Sequence, residues 1–476
     1  MAEEKESGGN SQVGALLQVN NLDYRIPPAL SVAVSRAHAK YPLSQAEVKQ
    51  NGEMIFVLPS GSHYVDFRNS YIKFTVTVTP VDSATTYTNI RTFNNGYRNS
   101  FQTGTAVTET VGDPGALALF SRMRYYHSSG TILDEQNGYL DALMYQKAQW
   151  YMGRDWRRGV GSLFDFGGSD MYISDAATAT KRYPYHNFTA EEYKQNLGPA
   201  GYKLIGFEST GTSQTYIIPL MLFSDIFAQD KLAPSFLVAG SRLHLTLNSA
   251  NHAFICGGNA TGTTDFTISK ASIHLEQYQL TDAVAKVLSA ISATSGLEYP
   301  FESIYHTQTQ STDQAVSIQV SRALSRANHV MLVSRRTDEM GVPLKNSICA
   351  RPILPTENVR YQVQLGGQTI PTQEIEGPIE AFLMANVTMR RMHTMTGNDN
   401  NFAIDFLRGG AGILALSLES SSTLEQSGAA LSAQRVLLFN FYRSDSGGAG
   451  NQHLHVLFTS YVRLATIFLD SVIVRS

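Results

Sequence analysis

Residues 71–79 read Tyr71-Ile72-Lys73-Phe74-Thr75-Val76-Thr77-Val78-Thr79, and this stretch sets the fold class. Ile72, Phe74, Val76 and Val78 fall on one side of an extended chain, and Lys73, Thr75 and Thr77 on the other. That period of two is the mark of a strand with one buried face, and β-branched and aromatic side chains suit a pleated surface. A second run, Met54 to Leu58, precedes it. Pro59-Ser60-Gly61-Ser62 stands between the two, a turn signal of the kind that separates antiparallel neighbours.

Working outward, residues 1–22 are rich in Glu, Ser, Gly, Asn and Gln, and read as a flexible N-terminal arm. They hold no apolar core of a signal peptide, so no secretory leader is expected. The sequons at Asn187, Asn259 and Asn386 are therefore expected to go unused. Residues 81–113 read as a long polar loop. Ala116 to Phe120 leads through Arg122, Arg124, Tyr125 and Tyr126 to a turn at Ser128-Ser129-Gly130. From Tyr139 to Trp150 the period changes: Leu140, Leu143 and Met144 predict a short amphipathic helix, with Gly153 ending it. Residues 154–214 read as an elaborated excursion between strands. Strands resume at Thr215 to Leu222, Ser241 to Leu247 and Asp265 to Leu275.

Val284, Val287, Leu288 and Ile291 then repeat at helical spacing, predicting one helix that begins at Thr281 or Asp282. Beyond it the strand pattern starts afresh, at Val316 to Val320, Asn328 to Ser334, Ala411 to Leu418, Arg435 to Phe441 and Leu454 to Val474. Two sets of strands joined by one helix predict two β-sandwiches in tandem. The expected division is an arm over 1–22, a first sandwich with long loops over 23–280, a helical linker over 281–296 and a second sandwich over 297–476. A chain of 476 residues is long enough for two such cores.

Composition agrees. Charged residues make up 16% of the chain, against about 25% in ordinary soluble proteins, which leaves more neutral surface for contacts. The net charge of −3 calls for no long-range attraction to nucleic acid, and no run approaches the ~18 apolar residues of a membrane span. Cys256 and Cys349, the only cysteines, can form neither a disulfide framework nor a four-ligand zinc site.

Motifs that carry chemistry are absent. There is no phosphate-binding loop, no His-Glu-x-x-His, no nucleophile elbow and no paired cysteines at zinc spacing. Gly410-Ala411-Gly412 imitates part of a dinucleotide fingerprint, but Leu414, Leu416 and Leu418 alternate as a strand where that motif needs a helix. His453 and His455 share a strand face without a third ligand in view, and read as surface or interface histidines. Asp134-Glu135 and Glu374 with Glu376 could be glycosidase carboxylates, but read more simply as solvated loop charges. Arg154, Arg157 and Arg158, interleaved with Trp150, Tyr151 and Trp156, could hold phosphate or stack on a base; a contact between subunits is the preferred reading. No catalytic, cofactor-binding or metal-ligating residue is therefore expected.

The order of these segments resembles the double jelly-roll major capsid proteins of the adenovirus-hexon lineage, those of Polinton-like viruses and virophages above all. The landmarks are Ser60 to Ile72; Leu119 to Met123 with its glycine turn and helix; Pro219-Leu220 through Asp225-Ile226-Phe227, Leu232-Ala233-Pro234 and Leu243 to Leu247; the Asp282 helix leading to Tyr299-Pro300; and Phe402 to Leu418. The resemblance runs from about residue 55 onward. It implies an all-β chain of two tandem eight-stranded jelly rolls, a homotrimer with a pseudo-hexagonal outline, and a structural role without an active site or cofactor. It implies neighbouring capsomers, penton and minor capsid proteins as partners, and the virion of an icosahedral DNA virus as the location. A jelly-roll capsid protein of a small RNA virus is an alternative, disfavoured because Glu3, Glu4 and Glu6 outnumber Lys5 where such proteins carry a basic arm. A carbohydrate-binding or carbohydrate-cleaving β-sandwich is the other.

Overall fold

The computed structural model describes residues 33–475, apart from 60, 81–113, 153–155, 157–158, 165, 167–171, 174–180, 184–185, 189–212, 254–263, 338–339, 341–357, 390–411, 420–427, 433–434 and 445–451. The expected arm, the polar loop at 81–113, Cys256, Cys349 and Asn259 lie outside the described residues.

The first half runs β1 (Ala33–Pro42), β2 (Glu47–Lys49), β3 (Glu53–Val57), β4 (Tyr64–Pro80), β5 (Phe120–Tyr126), β6 (Ile132–Gln136), helix α1 (Leu140–Trp150), three short strands β7 (Tyr172–Ile173), β8 (Lys181–Tyr183) and β9 (His186–Phe188), then β10 (Ser213–Pro219), β11 (Arg242–Leu247) and β12 (Thr264–Leu280). Helix α2 (Asp282–Thr294) follows. The second half runs β13 (Leu297–Ser311), β14 (Ala315–Val320), β15 (Ala327–Arg336), β16 (Val359–Leu365), β17 (Gln368–Glu376), helix α3 (Gly377–Thr388), β18 (Leu414–Ser417), β19 (Leu437–Arg443), β20 (His453–Ile467) and β21 (Val472–Arg475).

In the first half one sheet has the order β1-β12-β4-β10 with β2 on β12, and the sheet facing it β3-β11-β5-β6. In the second half the orders are β13-β20-β15-β18, with β21 on β20, and β14-β19-β16-β17. With β2, β21 and the separate three-stranded sheet β7-β8-β9 set aside, each half places its eight strands in the same pairing pattern, first beside last and second beside next to last. This is the jelly-roll order, twice, and all the pairings are antiparallel.

The alternation read at 71–79 does its expected work, because Ile72, Phe74 and Val76 are fully buried against the facing sheet. Burying side chains of this size stabilises by roughly 2 kcal/mol each. β11, β14 and β19 also bury alternate residues as their sequences predict.

Three expectations need correction. β3 and β4 are not antiparallel neighbours: β3 pairs with β11, while β4 pairs with β12 and β10 in the opposite sheet. The turn between them carries the chain across the sandwich, and turn chemistry fixes a change of direction without fixing a partner. α1 is not amphipathic in its surroundings, since all its residues are buried. α2 forms where expected, yet Val287 and Ile291 on its apolar side are exposed.

Candidate assembly surfaces

Helix α1 explains how the two sandwiches are held. Leu140, Met144, Tyr145 and Ala148 belong to the first core, while Ala142, Leu143 and Trp150 belong to the second. The helix lies on one face of the second sandwich, where register places Ile304 beside Ser460, His306 beside Phe458 and Met331 beside Phe458. Traffic runs the other way too: Tyr299, Phe301, Ala465 and Ile467, at the ends of β13 and β20, pack into the first core.

Several polar side chains in and beside this seam find partners. Lys147 Nζ meets Asp225 Oδ2 at 2.8 Å, and His252 Nε2 meets Asp141 Oδ2 at 2.6 Å. Burial pushes the Asp141 carboxyl up, but the His252 hydrogen bond and the Arg335 guanidinium 3.9 Å away outweigh it and hold Asp141 below the usual carboxylate range. Arg335 also lies over the Tyr139 ring, 5.4 Å from its centre. Asp134 accepts hydrogen bonds from Ser224 and Ser303, and the Arg463 guanidinium donates to the Leu133 carbonyl at 2.8 Å. A charge left alone in such a place would cost several kcal/mol, so the contacts that cross from one half to the other, Arg335 with Asp141, Ser303 with Asp134 and Arg463 with the Leu133 carbonyl, favour one arrangement of the two sandwiches.

Outside the seam, three surfaces stand open among the described residues. α3 buries Ala381 and Ala385 but leaves Ile379, Leu383 and Val387 exposed, a continuous apolar stripe at helical spacing. α2 exposes Val287 and Ile291 beside a groove of about 650 Å³ lined by Tyr64, Phe236, Lys286 and Asp470 among others. The outer face of β1, β12 and β4 carries a ring cluster, with Tyr71 stacked on His274 at 4.6 Å and His38 5.4 Å from Tyr71.

The residues singled out in the sequence meet different fates. His453 and His455 are buried, not at the surface: His455 Nδ1 lies 2.9 Å from Ser334 Oγ and its ring packs edge-on against Phe441. They face inward because alternation on β20 turns these positions toward β19. Among the described residues no group of three or more His, Cys, Asp or Glu side chains is placed to hold a metal. Asp134 is a buried structural acceptor and not a loop charge, whereas Glu135 sits 3.9 Å from Arg124. Glu374 is shared with Gln362 and Arg360; the Glu376 backbone N–H donates to Glu380 at the start of α3. Arg154, Arg157 and Arg158 lie outside the described residues. Trp150 is fully buried in the second core, so its ring is not open for stacking.

Sequence reasoning missed α3 altogether. Gly377-Pro378 followed by Ile379, Leu383 and Val387 is a legible helix start and stripe. No helix among the described residues is long and apolar enough to cross a membrane.

No family model matches the sequence, and no curated protein matches it. The fold has solved counterparts. The Faustovirus major capsid protein aligns with a TM-score of 0.58 at 11% identity, over 93% of this chain and 92% of its own. A chain of the Sputnik virophage structure gives 0.58 at 12% identity, over 97% and 91%. The mavirus major capsid protein gives 0.54 at 9% identity, over 97% and 94%. The alignments span both sandwiches, so the chain shares the double jelly-roll architecture from end to end.

Proposed function

We propose that this chain is a major capsid protein, the repeated structural subunit of the shell of an icosahedral DNA virus. The observation that carries the proposal is the double jelly roll itself: two sandwiches of one strand order locked by a buried seam, a whole-chain likeness to capsid proteins of Faustovirus and mavirus. Two sandwiches in one rigid subunit give three subunits a near six-fold outline, which tiles a closed surface through side-to-side contacts. On this reading the chain forms homotrimeric capsomers, meets neighbouring capsomers together with penton and minor capsid proteins, resides in the virion and catalyses no reaction. The division into an arm over 1–22, sandwiches over 23–280 and 297–476 and a linker over 281–296 belongs to the same proposal.

Light scattering on the purified protein, followed by negative-stain imaging, tests it. A threefold mass with hexagonal outlines, or closed shells, is the expected result. A monomer at micromolar concentration that forms no particles would overturn the proposal.

A further inference from the structure

Because both sandwiches share one strand order, each element of the first has a counterpart in the second. β1, β12 and β4 correspond to β13, β20 and β15, and the helices α1 and α3 each follow the corresponding strand, β6 and β17. Within the chain, α1 covers the β13-β20-β15 face at Ile304, Met331 and Phe458. Its counterpart α3 covers no such face and turns Ile379 (79% exposed), Leu383 (47%) and Val387 (41%) outward. The counterpart face, β1-β12-β4, is also open, with His38, Lys40 and Lys73 exposed around Tyr71 and His274.

We infer that α3 of one copy docks on the β1-β12-β4 face of the next copy, repeating between chains the contact that α1 makes within the chain. The occupant is thus a second copy of this chain. Charge favours the match: Glu376 and Glu380 are exposed at the start of α3, and Lys40 and Lys73 are exposed on the sheet face. The contact joins two different surfaces, so it runs head to tail, and such contacts close into a ring when the rotation allows. Six sandwiches in a ring require three chains. The inference rests on the assembly reading above and supplies the residues that would carry it.

The test combines zero-length carbodiimide cross-linking of the wild-type protein, mixed from isotopically light and heavy chains, with light scattering on Leu383→Glu and Lys73→Glu. Expected are inter-chain cross-links joining Glu376 or Glu380 to Lys40 or Lys73, and assembly weakened by about ten-fold or more in each variant while the far-ultraviolet circular dichroism is unchanged. A wild-type trimer without these cross-links, whose mass also survives both substitutions, would overturn the surface and leave the assembly reading standing; a different protein seated on α3 in purified particles would do the same. A wild-type protein that stays monomeric at micromolar concentration would overturn both.

Discussion

The Ser303 hydroxyl on β13 donates a hydrogen bond of 2.5 Å to Asp134 Oδ1 on β6, tying the first strand of the second sandwich to the first sandwich. The same carboxylate accepts from Ser224, and the Arg463 guanidinium lies 3.9 Å away. Asp134→Ala strands two hydroxyls and takes a counter-charge from a buried cation. We expect a loss of about 3 kcal/mol in urea unfolding, against about 1 kcal/mol for Ser303→Ala. Equal losses for the two variants would show that Arg463 draws nothing from Asp134.

Because α1 contributes to both cores, the sandwiches are expected to unfold together. Scanning calorimetry should show one heat-absorption peak for the wild type. Trp150→Ala removes the largest side chain that α1 gives to the second core, at an expected cost of about 3–5 kcal/mol. The variant should split the peak, with the second sandwich melting first. A wild type that already melts in two steps would contradict the coupling.

Acidification should loosen the seam at His306. Burial lowers the pKa of this imidazole below its ordinary 6.5. Gln136 Nε2 stands 3.1 Å from His306 Nδ1, and the Gly138 carbonyl, 2.7 Å from the same amide nitrogen, fixes that amide as the donor. His306 Nδ1 therefore accepts, and the ring is neutral. The unfolded chain binds this proton more readily than the folded one, so the stability contributed is fully present above pH 6.5 and falls as the pH drops through the lowered folded value. Thermal midpoints measured from pH 7.5 downward should decline, and less steeply in His306→Gln. Identical slopes would assign the decline to other groups.

Gly296, the second residue after α2, has φ +78, and a Cβ built there would sit 2.5 Å from Thr466 Cγ2 and 3.1 Å from the Phe468 ring. Gly377 opens α3 at φ +81 with nothing within 4 Å of such a Cβ. Gly296→Ala should cost about 2–4 kcal/mol, and Gly377→Ala only the backbone penalty of about 1 kcal/mol. Matched unfolding curves for the two variants would measure the steric part as their difference.

The class of the fold and most of its pieces are legible in the local pattern of residues. Alternation at 71–79, 243–247 and 316–320 marks strands because one face of each must leave water, and that demand is written locally as a period of two. The i, i+3, i+4 spacing at Val284 to Ile291 marks a helix by its period, although Val287 and Ile291 stay exposed in the fold. Partners and surroundings are not local. Whether β3 pairs with β4 or crosses to the facing sheet depends on β11 and β12, nearly two hundred residues away in the chain. Asp134 and His455 read as surface residues because their types prefer water, and only tertiary packing supplies the Ser303, Ser224 and Ser334 hydroxyls that make their burial tolerable. α1 and α3 show the division most plainly. Both helices are apolar on more than one side, and it is the placement of the second sandwich against the first that buries every side of α1 and leaves the stripe of α3 open for another chain.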